Sequence, residues 1–122
     1  MLLTLLFGCA SSMQAIWEGV CTFTDSSHSK EIDVTADVRK DNGYALDGEM
    51  SIIDWDNLEY SAVLNGDHSG KYVSMQSDFQ TGLGTYRFQL EVVRVGSALE
   101  GDCYIKSPSS PGGLQGYVEL ER

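Results

Sequence analysis

Between residues 32 and 39 the chain alternates without a break: Ile32, Val34, Ala36 and Val38 against Asp33, Thr35, Asp37 and Arg39. A helix would wrap those four apolar residues around its whole circumference. A strand puts all four on one face and leaves the polar set in water. The same period of two recurs along the chain. Trp17, Gly19, Cys21 and Phe23 form one row, followed after the strand just described by Leu46, Gly48, Met50 and Ile52, then Leu58, Tyr60, Ala62 and Leu64. Later rows are Tyr86, Phe88, Leu90 and Val92, then Leu99, Gly101, Cys103 and Ile105. A shorter strand is expected over residues 71–76 and a last one over 115–121. No window has a helical period, so the chain is expected to be all-β.

Turn chemistry separates the rows. Residues 25–30 are polar, Asn42-Gly43 supplies the positive φ of a tight hairpin, and Asn65-Gly66-Asp67-His68-Ser69-Gly70 reads as another turn. Thr81-Gly82-Leu83-Gly84 is a further turn, and residues 107–113 read as a loop rich in Ser, Pro and Gly. Two hairpins share a pattern: Gly43-Tyr44-Ala45-Leu46-Asp47-Gly48-Glu49 through Ile52 matches Gly96-Ser97-Ala98-Leu99-Glu100-Gly101-Asp102 through Ile105. In both, a turn glycine is followed by an inward leucine and then an inward glycine in mid-strand. A glycine there marks a bend or a close backbone approach, and repeated bends coil a sheet into a barrel. Eight strands in meander order predict a single eight-stranded antiparallel up-and-down barrel. A flattened β-sandwich is the alternative.

Trp17 stands early on the first strand and Arg122 ends the last, and these strands are neighbours in a closed barrel. The arrangement resembles lipocalin-like and avidin-like barrels, in which such a tryptophan is covered by a terminal arginine. The resemblance implies a structural pair, Trp17 with Arg122. The lipocalin Gly-x-Trp is replaced by Ala15 at its glycine, and only Trp17 and Trp55 are present against the several tryptophans of an avidin pocket. The architecture carries over and no binding residue does.

The first dozen residues read differently from the rest. Leu2, Leu3, Leu5, Leu6 and Phe7 lead to Gly8-Cys9 and the small residues Ala10, Ser11 and Ser12, with no charge before Glu18. Leu6-Phe7-Gly8-Cys9 resembles the lipobox of bacterial lipoproteins, which implies cleavage before Cys9 and its lipidation. Residues 1–8 are then the remnant of a signal peptide, 9–14 a lipidated tether and 15–122 the barrel domain. The basic region that opens a signal peptide is missing, since neither Lys nor Arg precedes Lys30. Either the recorded start lies downstream of the true one, or the segment is a buried strand or turn. On the lipoprotein reading, acyl chains on Cys9 anchor the protein in the bacterial cell envelope. Ala10 in place of an aspartate retention signal points to the outer membrane, facing the periplasm.

With Cys9 assigned to the lipid, Cys21 and Cys103 are left as a disulfide pair in an oxidising compartment. The barrel makes that pairing demanding. The eighth strand separates the first from the seventh, which puts their Cα atoms about 9 to 10 Å apart in a flat sheet, while a disulfide needs less than about 7 Å. Either the barrel is strongly coiled or the fold is a sandwich.

The net charge of −10 argues against nucleic acid as a partner. The two histidines, His28 and His68, fall in polar turns and read as solvated. No catalytic constellation emerges and no cofactor is implied. Asp54, Asp56 and Asn57 are the densest oxygen cluster and the only weak candidates for a metal, but a turn capped by Asx side chains accounts for them as well. Trp55 between them is either a lid over the barrel mouth or a packed turn aromatic. Inward Phe23, Tyr60, Tyr86 and Phe88 are the candidate lining of a site for a small apolar ligand. The expected function is that of a lipid-anchored envelope protein with a non-enzymatic binding or accessory barrel, partnered by the membrane and by a small apolar ligand or an envelope protein. One alternative is a lipocalin-type carrier of an apolar ligand. The other is a small hydrolase or isomerase using a carboxylate at the barrel mouth.

Overall fold

The computed structural model describes residues 12–24, 29–108 and 110–122. Eight strands follow one another: β1 (Ala15–Thr24), β2 (Ser29–Asp41), β3 (Ala45–Ile53), β4 (Glu59–Ser69), β5 (Tyr72–Thr81), β6 (Gly84–Val95), β7 (Ala98–Ser107) and β8 (Ser110–Glu121). Each is antiparallel to the next, and β8 returns to pair with β1 from Glu18↔Glu121 to Phe23↔Gly116, closing the barrel. The alternation in the sequence becomes the wall of this barrel. Ile32, Val34, Ala36 and Val38 are all buried, as are Trp17, Cys21 and Phe23 on β1 and Phe88, Leu90 and Val92 on β6. Fully burying each large apolar side chain is worth about 1.5 to 3 kcal/mol, and here all of them share one core.

The mid-strand glycines act as the repeated pattern suggested. A Cβ on Gly48 would run into the carbonyl oxygen of Asp37, and one on Gly101 into that of Glu91. Gly19 and Gly116 stand in the same relation to the carbonyls of Glu119 and Thr22. Backbones that approach this closely coil the sheet tightly. The coiling resolves the cysteine problem in favour of the barrel. Cys21 and Cys103 are joined by a disulfide with their Cα atoms 6.3 Å apart, although β8 runs between them with Val118 opposite Cys21 and Gly116 opposite Cys103. Both sulfurs point inward, and the bridge spans the interior where the wall folds on itself.

Three stretches differ from the expectation. Residues 65–69 are not a turn: they continue β4, and β5 runs on to Thr81. The polar residues Asn65, Asp67 and Ser69 take the outward positions, while Gly66 lies half-buried against β5 and a Cβ there would meet the Ser74 carbonyl. His68 is therefore an inward residue, 7% exposed, and not a solvated turn residue. Leu58 is not inward either; it precedes β4 and is 54% exposed. Most of the expected loop at 107–113 belongs to β8, which pairs with β7 as far as Ser107↔Ser110.

The two ends of the barrel differ. At the end where β1 begins, residues 12–14 fold over the opening and Met13 is 1% exposed. The Met13 N–H donates to Asp41 Oδ2 at 2.8 Å, its carbonyl accepts from Trp17 Nε1 at 2.9 Å, and the Ser12 carbonyl accepts from Arg94 at 2.8 Å. The folded body thus reaches back into the residues read as tether. Arg94 and Arg122 both lie over the Trp17 ring, at 5.4 and 5.5 Å from its centre. Burial, then the neighbouring Arg122, holds Arg94 below its ordinary pKa. His68 Nε2 meets Asp41 Oδ1 at 2.8 Å, with both side chains almost fully covered. This end is sealed.

Candidate functional site: the aromatic end of the barrel

At the opposite end four connections meet: β1 to β2, β3 to β4, β5 to β6 and β7 to β8. Phe23, one residue before the end of β1, faces inward at 4% exposure. The Trp55 ring stands on its edge at a centroid distance of 6.3 Å and an angle of 87°. That T-shaped geometry sets the positive edge of one ring against the negative face of the other. Trp55 remains 37% exposed, and Lys30 Nζ lies over its ring 4.9 Å from the centre. Across the opening Tyr60 at the start of β4 and Tyr86 at the start of β6 meet at 6.0 Å, tilted by 47°. Both tyrosines are half-buried, as is Leu114 on β8. Loss of surrounding solvent, then the charge of Asp54, raises the Tyr60 pKa above its ordinary value.

The turn that carries Trp55 is rigid for reasons of local chemistry. Asp54 Oδ1 accepts from the N–H groups of Asp56 and Leu58, both at 2.9 Å. Its backbone N–H donates to the Leu58 carbonyl at 2.9 Å and its carbonyl accepts from the Asn57 N–H at 2.9 Å. Asn57 takes the left-handed φ of 67° that closes such a loop, a conformation asparagine tolerates. The Asp54, Asp56 and Asn57 cluster is thus an Asx-capped turn whose best carboxylate already holds two N–H groups. Among the described residues no group of three or more His, Cys, Asp or Glu side chains comes together as a metal site.

Of the four aromatics singled out in the sequence, Phe23, Tyr60 and Tyr86 gather at this end. Phe88 sits deeper on β6, fully buried, and belongs to the floor. Sequence reasoning missed Phe79, which is also fully buried near the end of β5. The signal was there, since Val73, Met75 and Phe79 keep the period of two, but Ser77 at the inward position and Asp78 beside it broke the apolar row. Ser77 has a structural use. The β4–β5 register stops at Asn65↔Gln76, and beyond it the Ser77 hydroxyl donates to the Val63 carbonyl at 2.8 Å. The paired ladder between β4 and β5 therefore ends short of Tyr60. Cys9 and His28 lie outside the described residues.

Surface grooves elsewhere are poor rivals. One of about 390 Å³ on the outer wall between β1 and β8 is lined by Glu18, Glu31, Glu119 and Glu121 around Val20 and Tyr117, too acidic for an apolar molecule. Buried carboxylates are likewise engaged: Asp41 with His68 and the Met13 N–H, Asp54 with its own turn.

No protein-family model matches the chain, and no curated protein matches it. A solved structure does, at 10% identity: EF1p2_mFAP2b, described as bound to DFHBI. The match has a TM-score of 0.72 and covers 93% of this chain and 96% of that one. The two share a fold. At that identity the likeness concerns the path of the backbone, and the aromatic end has to be read from this chain's own residues.

Proposed function

We propose that the chain is a lipid-anchored protein of the bacterial cell envelope whose barrel binds a small, apolar, planar molecule at its aromatic end and performs no chemistry on it. The observation that carries this reading is the contrast between the ends. One is sealed by Met13, Trp17 and two arginines. The other presents Trp55, Tyr60 and Tyr86 partly open to solvent above a floor of Phe23, Phe79 and Phe88. Apolar walls with a few polar groups at the rim, here the tyrosine hydroxyls and Lys30, are what small-molecule sites commonly offer. The similar barrel described as bound to DFHBI supports the reading by analogy of fold. For the anchor the support is Leu6-Phe7-Gly8-Cys9, and the disulfide suits an oxidising compartment. The engaged state of Asp41 and Asp54 supports a role without acid–base catalysis.

Fluorescence of N-phenyl-1-naphthylamine, a neutral apolar dye, tests the binding half. The full chain should raise its emission saturably, and Trp55→Ala should weaken binding about 2- to 10-fold, the worth of one aromatic contact. No enhancement, or a variant indistinguishable from the parent, refutes the site. For the anchor, Cys9→Ser should abolish metabolic labelling with palmitate and release the protein from the membrane fraction. Unchanged labelling refutes it.

A further inference from the structure

Charge is segregated along the barrel. The chain carries 8 Lys and Arg against 18 Asp and Glu. Yet Lys40, Lys71, Arg94 and Arg122 all stand at the rim of the sealed end, in its turns or at the last positions of its strands. Among the described residues three carboxylates share that rim: Asp41, Glu121 and Asp47, which stands opposite Lys40. Glu121 is exposed, and Asp41 is withdrawn, its side chain 4% exposed and held by His68 and the Met13 N–H. Asp47 is exposed like Glu121, and Asp67 and Glu100 lie further along the wall. Between the cations stand Tyr44, Tyr72 and Val95, exposed by 62%, 61% and 54%. The Lys71 ammonium lies 5.6 Å from the centre of the Tyr72 ring. The aromatic end has the opposite balance, with Glu31, Asp54, Asp56, Glu59 and Asp78 against Lys30, Arg87 and Lys106.

We propose that the sealed end is a membrane-docking face: its basic, tyrosine-bearing rim rests on an anionic bilayer, and the barrel stands with its aromatic end pointing away. The inference deepens the anchored-barrel reading and rests on it for the direction from which the membrane approaches. Ser12 is fixed to this rim through Arg94. Cys9 lies three residues earlier, which extended chain covers in about 11 Å at most. An anchor at Cys9 therefore brings this end, and no other, to the lipid surface. Cations attract the anionic headgroups, and tyrosine is favoured at the interfacial level. The protein's overall negative charge does not oppose this. Strands of about ten residues tilted in a barrel rise about 25 Å, whereas the field of the surface decays over about 8 Å in physiological salt. The far carboxylates are screened from it.

The test uses the full chain made by cell-free synthesis without acylation, sedimented with vesicles of phosphatidylcholine alone or with three-tenths phosphatidylglycerol. Each basic residue near such a surface multiplies partitioning about fivefold. The parent should prefer the anionic vesicles by at least about tenfold in low salt, and the preference should fade as salt is added. Lys40→Glu with Lys71→Glu should abolish the preference while the variant stays folded, its thermal midpoint lowered by no more than a few degrees because Lys40 faces Asp47. Arg87→Glu with Lys106→Glu makes the same change in net charge near the other end and should leave the preference intact. Equal loss from both pairs would mean that net charge alone matters, and no preference in the parent would mean that no docking face exists. Salt-sensitive binding to heparin without a vesicle preference would assign the rim to a polyanion. Each of these three overturns the proposal. None depends on Cys9, so failure of the anchor, read from palmitate labelling, is separately visible.

Discussion

Reducing the Cys21–Cys103 bridge is the perturbation whose size follows most directly from the structure. The bridge joins residues 82 positions apart and so closes a loop over most of the described chain. In the chain-entropy account a loop of that length removes about 15 cal/mol/K from the unfolded ensemble, or about 4.5 kcal/mol at 25 °C. Domains of this size have about 5 to 15 kcal/mol in total. The assay is urea unfolding followed by the single-tryptophan contrast of Trp55→Phe, which leaves Trp17 in the sealed end as reporter, once oxidised and once refolded in reductant. With a slope of about 1.5 kcal/mol/M, the midpoint should fall by about 3 M on reduction. A fall of less than about 0.5 M would show that the coiling imposed by Gly19, Gly48, Gly101 and Gly116 holds β1 beside β7 unaided, and the reasoning that makes the bridge a principal constraint would be wrong.

Two further predictions concern the wall and the sealed end. Gly48→Ala puts a methyl group 2.9 Å from the Asp37 carbonyl carbon and closer still to its oxygen, where backbone must retreat, and should cost at least about 2 kcal/mol. Gly82→Ala, with nothing within 4 Å, should stay within about 0.5 kcal/mol; calorimetry of the two variants that ranks them equally would remove the coiling argument. Asp41 is raised by burial but lowered more by the Met13 N–H, His68 and the Gly43 N–H, so its folded pKa lies below the ordinary carboxyl value. The stability it gives is therefore complete above about pH 4 and is lost as pH falls through the lowered value. Asp41→Asn should lower the thermal midpoint at pH 7 and flatten its decline below pH 4; an unchanged acid limb in the variant contradicts the role.

Much of the fold was legible because the core-facing rows keep a period of two and because inward glycines announce bends. Gly48 and Gly101 could be read as equivalent before either was placed, and the pairing of β8 with β1 then decides for the barrel over the sandwich, its coiling letting Cys21 reach Cys103. The failures have a common physical source. Asn65, Gly66, Asp67, His68 and Ser69 look like a turn because each is a turn-former, but three face water from a strand and His68 is satisfied by Asp41, 27 residues away in sequence. Long-range hydrogen bonds of this kind leave no local trace. The same holds for Ser77, whose inward hydroxyl finds the Val63 carbonyl on the neighbouring strand. Leu58 keeps the period of Tyr60, Ala62 and Leu64 and so reads as inward, whereas the Asp54 cap holds its N–H and makes it the last residue of the turn. At the aromatic end, Phe23, Tyr60 and Tyr86 were recognisable from phase. Lys30 over Trp55 was not, since it joins the start of β2 to the β3–β4 turn and only the closed sheet brings them together.

The central claim is that binding occurs at the aromatic end of a barrel sealed at the other. A ¹H–¹⁵N correlation spectrum of the isotope-labelled chain, titrated with N-phenyl-1-naphthylamine, tests it residue by residue. The account predicts saturable shifts for Phe23, residues 54–58, Tyr60 and Tyr86 and for the Trp55 indole N–H, with the Trp17 indole N–H, hydrogen-bonded to the Met13 carbonyl, unmoved. Shifts centred on Trp17, Met13 and Arg94, or confined to the outer wall between β1 and β8, would contradict it.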